Sequence, residues 1–305
     1  MTAVTADTKA QLAWEAKQRP RAGIAAIAAA VLSLGSIFAT QAILADAPHA
    51  YLLDSLQQLA APGPIGTQES IRTPVWEFYD DRSIPFILTS LARGLGYLGI
   101  GIALAFLAMA TRARRPETPK IALYAALVGA VLAGLAFVMS SVSTIVAFST
   151  FLDGPHTVNR AQDALESPTT AAAQLIGFPG AMALAIGFVL ICLNAMRAGL
   201  LPRFMGVLGI ITGVLIFIPL GSLPVIQAFW LGALGALLLG TWPGGVPAAW
   251  ATGRAEVVPS AGQVRRQRME EASAAKAAPK RRPRAADEDD DAAPPAVRRK
   301  RKRRN

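Results

Sequence analysis

Both histidines of the chain sit in the same four-residue setting, Asp46-Ala-Pro-His49 and Asp153-Gly-Pro-His156. Carboxylate and neutral imidazole are ligand types for zinc, manganese or iron. Asp46, His49, Asp153 and His156 together would therefore suffice for a divalent transition-metal site, or a metalloenzyme centre, without cysteine. The spacing also has a structural explanation. Proline two residues after an aspartate stops a helix, leaving the carboxylate on the last turn and the imidazole beside the negative end of the dipole. The motif is short, and no third ligand-rich segment accompanies the pair.

Arg93 is the one basic residue inside an apolar stretch. An ionisable side chain in a membrane span is costly and marks a functional site. Counting along the other stretches from their basic ends puts Gln41, Ser140, Ser141, Ser143 and Thr144 at a similar height, with Gln174 and Gln227 in the same half. The expectation is a polar vestibule around Arg93, Ser140, Ser141 and Thr144, with Glu77, Asp80 or Asp81 as partners for the guanidinium. The competing expectation is an arginine that snorkels to the headgroups.

A third group is the unbroken run Arg298, Arg299, Lys300, Arg301, Lys302, Arg303 and Arg304. It suits a solvated topology determinant, or contact with anionic lipid at about 1 kcal/mol per cation. Phosphates of a nucleic acid are a further partner, but without interleaved aromatics or a recognition fold such contact carries no sequence reading. High salt should weaken both electrostatic contacts.

These groups are positioned by six apolar stretches: Ala22 to Ala45, Ile84 to Ala110, Ile121 to Leu152, Ala171 to Ala195, Phe204 to Leu220 and Val225 to Gly240. About 20 residues are needed to cross a bilayer, so four stretches are long enough. The last two, separated by Gly221-Ser-Leu-Pro224, read as two tight spans or one re-entrant hairpin. The expected fold is an all-α polytopic transmembrane helix bundle of six spans, or four plus a re-entrant hairpin, with a disordered C-terminal tail. Small residues at four-residue spacing, such as Ala125, Gly129 and Ala133 or Ala126, Ala130 and Gly134, suit close helix packing. The lone Cys192 excludes a disulfide within the chain and reads as a packing residue.

Charge sorts across these stretches. Four basic residues precede the first, four lie between the second and third, two between the fourth and fifth, and sixteen in the tail from Ala251. The opposite loops hold only Arg72, Arg82 and Arg160 against nine acidic residues. The positive-inside rule then places both termini of a multi-pass cell-membrane protein in the cytoplasm. This divides the chain into a cytoplasmic segment 1–21, a transmembrane domain 22–250 with outer loops 46–83 and 153–170, and a basic tail 251–305. The first stretch is too long for a signal-peptide core, which favours an uncleaved span. With sixteen basic and eight acidic residues, the tail supplies most of the net +10. Its near lack of large apolar residues predicts disorder, apart from a short helix from a capping box at Ser260 to about Lys276.

Within the loop 46–83, Leu52, Leu53, Leu56 and Leu59 form a helical stripe, and Trp76, Phe78 and Tyr79 resemble an interfacial aromatic belt over the bundle. Trp242 and Trp250 suit an interfacial anchor on the other side. Arg93-Gly-Leu-Gly-Tyr-Leu-Gly-Ile100 and Arg203-Phe-Met-Gly-Val-Leu-Gly-Ile210 share a pattern at the openings of the second and fifth helices, as in an inverted repeat. The Asp-x-Pro-His pair relates parallel helices and contradicts such a duplication.

The segment Leu200-Leu-Pro-Arg203-Phe-Met-Gly206-Val-Leu-Gly209-Ile-Ile-Thr-Gly213 and the ending Thr241 to Trp250 resemble features of uncharacterised six-span membrane proteins of GC-rich bacteria. The resemblance covers Gly23 to Trp250 and implies a six-span body, with no activity or site residue attached. The chain lacks H-E-x-x-H, G-x-S-x-G and Walker A signatures and holds no carboxylate in its apolar stretches. The leading expectation is a non-catalytic scaffold, sensor or accessory protein of the lipid bilayer. Small-solute or ion permeation through the Arg93 vestibule is the alternative, and outer-face metal chemistry the third. No cofactor is expected beyond that metal.

Overall fold

The structure, a computed structural model, describes residues 6–49, 52–60, 62–217, 225–256 and 269–270. The chain divides into two units, Met1–Val258 and Pro259–Asn305. Apart from the helical Met269 and Glu270, the second unit lies outside the described residues, and with it the expected helix from Ser260 and the run Arg298 to Arg304.

Among the described residues of the first unit, ten α-helices follow in order: α1 (Ala6–Leu44), α2 (Leu52–Ala60), α3 (Thr73–Asp81), α4 (Ser83–Arg114), α5 (Lys120–Leu152), α6 (Val158–Leu165), α7 (Pro168–Arg197), α8 (Arg203–Phe217), α9 (Val225–Leu239) and α10 (Ala249–Thr252). The described residues contain no strand, only an isolated antiparallel bridge between Glu69 and Thr157. By length and composition, four segments, α1, α4, α5 and α6 together with α7, are long and apolar enough to cross a membrane. At 15 residues each, α8 and α9 reach about 22 Å, short of a hydrocarbon core of about 30 Å. Residues 218–224 between them, including Gly221 to Pro224, lie outside the described residues.

Packing closes these helices into a ring. α4 stands between α1 and α5, α5 packs on α7, α7 on α8, α8 on α9, and α9 returns to α1. The ring is filled rather than hollow: Leu104, Phe188 and Trp230 are buried in one cluster, the last two rings 4.6 Å apart, and the Trp230 indole donates to the Met205 carbonyl at 2.8 Å. Cys192 is buried in the same cluster, in the packing role expected of it.

Without a hydrophobic force between helices in lipid, such a ring depends on close backbone approach. The small-residue spacing supplies it at α5 and α7, the largest contact in the bundle. A Cβ on Gly187 would lie 2.5 Å from the Ala126 amide nitrogen, and one on Gly129 would collide with the Leu184 backbone.

The two ends of the ring are closed differently. At the end holding α10, α1 begins well before the apolar stretch and carries Glu15, only 2% exposed, against Arg114, 8% exposed. Arg114 Nη1 and Nη2 donate to Glu15 Oε1 and Oε2 at 2.6 and 2.8 Å. The same guanidinium donates to the Ala249 carbonyl at 2.9 and 2.8 Å and to the Ala110 carbonyl at 2.9 Å. Above it lies Trp250, whose ring centre is 5.3 Å from Arg114 Cζ and 5.0 Å from Arg19 Cζ. Arg19 donates to the Leu237 carbonyl of α9 at 2.8 Å. The interfacial anchor expected at Trp250 is therefore corrected. The indole is buried, stacks on Phe106 and donates to the Leu200 carbonyl at 3.0 Å, because α10 folds back over the end of α4.

At the opposite end α3 packs on α5, and the expected aromatic belt turns inward. Trp76, 3% exposed, stacks on Phe148 with ring centres 4.6 Å apart and meets Phe151 edge-on at 4.5 Å. In α2, Leu53, Leu56 and Leu59 are exposed, as an interfacial stripe requires. The repeat expectation also needs revision: Arg203 opens α8, but Arg93 lies within α4, which has already begun at Ser83.

Removing one partner of a buried ion pair strands the other charge, at a cost of about 3–5 kcal/mol. Glu15→Ala and Arg114→Ala should each lower the thermal midpoint of the purified protein sharply. Glu15→Leu combined with Arg114→Met should lower it less than the two single losses added. Gly187→Val should destabilise by more than about 1–3 kcal/mol, since the added carbons meet backbone rather than a movable side chain. The outward Val128→Leu, at the α5 surface, should leave the same thermal scan nearly unchanged.

Candidate ligand-binding cleft

At about 100° per residue, Arg93 shares the face of α4 that carries Phe86, Ser90 and Tyr97, opposite the exposed Ile84, Leu88, Leu91 and Leu95. The guanidinium therefore points into the bundle.

Arg93 opens onto a cleft of about 220 Å³ formed by four helices. Ser140, Ser141 and Thr144, the residues grouped with it by height, line the same cleft from α5. Ser36 and Thr40 face them from α1, Tyr79 from α3, and Phe86, Thr89 and Ser90 from α4, with Phe137 and Ile145 completing the α5 wall. Ser143, counted at the same height, turns the other way and bonds Ser167, Thr169 and Thr170 at the start of α7, at 3.2, 2.6 and 2.9 Å. Gln41, Gln174 and Gln227 are not among the lining residues.

The polar groups of the cleft divide by what they have left to offer. Hydroxyl protons of Thr40, Thr89, Ser90, Ser141 and Thr144 are spent on carbonyls of their own helices at 2.8 to 3.0 Å, leaving oxygen lone pairs as acceptors. Arg93 lies over the Phe137 ring with Cζ 4.6 Å from its centre. Among the described residues it forms no ion pair and donates no hydrogen bond; Glu77, Asp80 and Asp81 do not pair with it. The hydroxyls of Tyr79 and Ser140 likewise hold no protein partner among the described residues. Burial raises the Tyr79 phenol above its ordinary pKa, so the group stays neutral and remains a donor. No described lining residue is acidic.

The cleft is blind. Below it Gly134 of α5 lies on the Gly94 carbonyl of α4, where a Cβ would be 3.0 Å away, and the core around Leu104, Phe188 and Trp230 follows. Above it Tyr79 stacks on Phe86 with centres 4.5 Å apart, which seats α3 over the mouth.

The Asp-x-Pro-His motifs lie beyond this cleft, at the ends of α1 and α5, two helices that flank α4 rather than packing side by side. Asp153 is the C-cap residue of α5, as the helix-ending explanation requires. His49 Nδ1 is 2.7 Å from the Ala47 carbonyl, and His156 Nε2 is 3.1 Å from the Leu152 carbonyl, its ring stacked on Phe151. Among the described residues no three His, Cys, Asp or Glu side chains gather as a metal site would need.

Sequence reasoning missed Ser36, Thr40, Tyr79 and Phe137. Ser36 and Thr40 carried a signal, because with Ser33 they form a hydroxyl row at helical spacing on α1. Phe137 carried none. Comparison with family models, with curated proteins and with solved structures finds no match to this chain, so the chemistry of the cleft stands on its geometry alone.

Proposed function

We propose that this protein is a non-catalytic multi-pass membrane protein that binds a small solute in the Arg93 cleft, as a sensor or accessory protein of the cell membrane. Charge sorting supports an arrangement with the cleft toward the outer face and both termini in the cytoplasm. The basic tail is then positioned to contact anionic headgroups.

The observation that carries the reading is an inward-pointing arginine with no ion-pair partner among the described residues, ringed by side chains from four helices that pack to a filled core beneath it. A polar recess with few convergent groups is what a small-molecule site requires. Its volume, about 220 Å³, is room for a small solute, since a cavity of about 150 Å³ is enough for benzene. Permeation is the weaker reading, because conduction would require the Leu104, Phe188 and Trp230 core to part.

Thermal stabilisation of the purified protein by a panel of small polar fragments tests this. At least one fragment should raise the midpoint of the wild type and fail with Ser140→Trp, which fills the cleft. The same fragment should stay trapped in proteoliposomes. Stabilisation that survives Ser140→Trp, or no stabilisation at all, would overturn the reading, and rapid release from the vesicles would establish permeation instead.

A further inference from the structure

Resting on the reading of the cleft as a solute site, we propose that its ligand is a small monocarboxylate with a short apolar part, its oxygens on Arg93 and Tyr79 and its carbons against Phe86 and Phe137.

The charge of Arg93 sets the sign. The guanidinium is partly buried and faces the cleft, and the described residues that line the cleft with it provide no carboxylate to balance its charge. Arg114, on the same helix, shows what satisfaction looks like: two bonds to Glu15 and three to carbonyls. Among the described residues Arg93 has only the Phe137 ring, 4.6 Å from its Cζ. With no hydrogen bond or ion pair to the described residues, its N–H donors are unspent, and a fork of parallel donors matches the two coplanar oxygens of a carboxylate.

The other groups narrow the class. Tyr79 brings a neutral, unspent O–H from α3, suited to the same anionic oxygens. Apart from that of Ser140, the hydroxyl protons around it are bonded to helix carbonyls, so most of the remaining polar wall offers acceptors and does little for a second anionic group. Phe86, Phe137 and Ile145 supply an apolar surface for the rest of the molecule. Nine acidic residues in the loops around this end against three basic ones disfavour polyanions at the mouth. Within a Debye length of about 8 Å the local guanidinium prevails for a single negative charge.

The test pairs acids with neutral look-alikes, using benzoate against benzamide and butyrate against butyramide, by calorimetric titration of the full-length protein in detergent. Each acid should bind at least about ten-fold more tightly than its amide. Arg93→Gln should erase that preference, Arg93→Lys should keep part of it, and Tyr79→Phe should weaken acid binding several-fold without changing the amide. Elution volume and helix content of each variant check the fold. Equal binding of acid and amide would overturn the carboxylate assignment while leaving the cleft a solute site. Preference for the dianion succinate would overturn the single charge. Affinity that keeps rising from butyrate to decanoate would overturn the small size and point to a lipid-derived acid. If none of these probes binds and no other fragment does, the solute reading falls with the inference.

Discussion

A guanidinium taken out of water must find its charge and its hydrogen bonds inside the protein, and Arg114 finds both in Glu15 and the carbonyls of Ala110 and Ala249. That pairing ties together the first helix, the end of α4 and the last helix of the body. Its neighbour Arg19 extends the tie to α9, and Trp250 roofs both cations. Because α1 runs unbroken from Ala6 to Leu44 and α4 from Ser83 to Arg114, fixing one end of the pair fixes the other. The contact of Gly96 and Gly99 with Ala29 and Ser33 holds the register between them. Ser36 and Thr40 consequently stand across the cleft from Arg93. The geometry of the recess at one end depends on the ion pair at the other.

The two arginines of α4 show how identical side chains acquire different roles. Arg114 has a carboxylate, three carbonyl bonds and an aromatic roof, so it can only hold structure. Arg93 has one aromatic contact and an open cleft before it. What separates them is the supply of acceptors. The long N-terminal extension of α1 brings Glu15 to the first, whereas the carboxylates nearest in sequence to the second, on α3, form no ion pair with it.

Much of the architecture was legible because apolar length and charge sorting leave few alternatives. The four long helices fall where the stretches lie, extended by a few residues at most ends. The gathering of Arg93, Ser140, Ser141 and Thr144 was legible too, since counting residues from a basic boundary measures depth along a straight helix. The buried ion pair was not. Glu15 and Arg114 are 99 residues apart, and each resembles an ordinary charge beside a span until tertiary packing covers it. Trp250 was misread for the same reason, as a tryptophan after a span suits an interface equally well until a four-residue helix folds it inward. The matching Asp-x-Pro-His motifs turned on whether α1 and α5 adjoin, and no local pattern reveals that α4 stands between them.

The most direct measurement of whether the cleft exists as a water-filled, anion-preferring recess uses a single cysteine at Ser140. The buried Cys192 contributes no background under native conditions. Membrane-impermeant thiol reagents of opposite charge would be applied to the outside of intact cells. The expected result is labelling of Ser140→Cys by both, faster with the anionic reagent, and reversal of that order when Arg93→Gln is added. The contradictory result is a Ser140→Cys thiol that reacts only with a lipid-soluble reagent, as the outward Val131→Cys should, or one whose charge preference ignores Arg93.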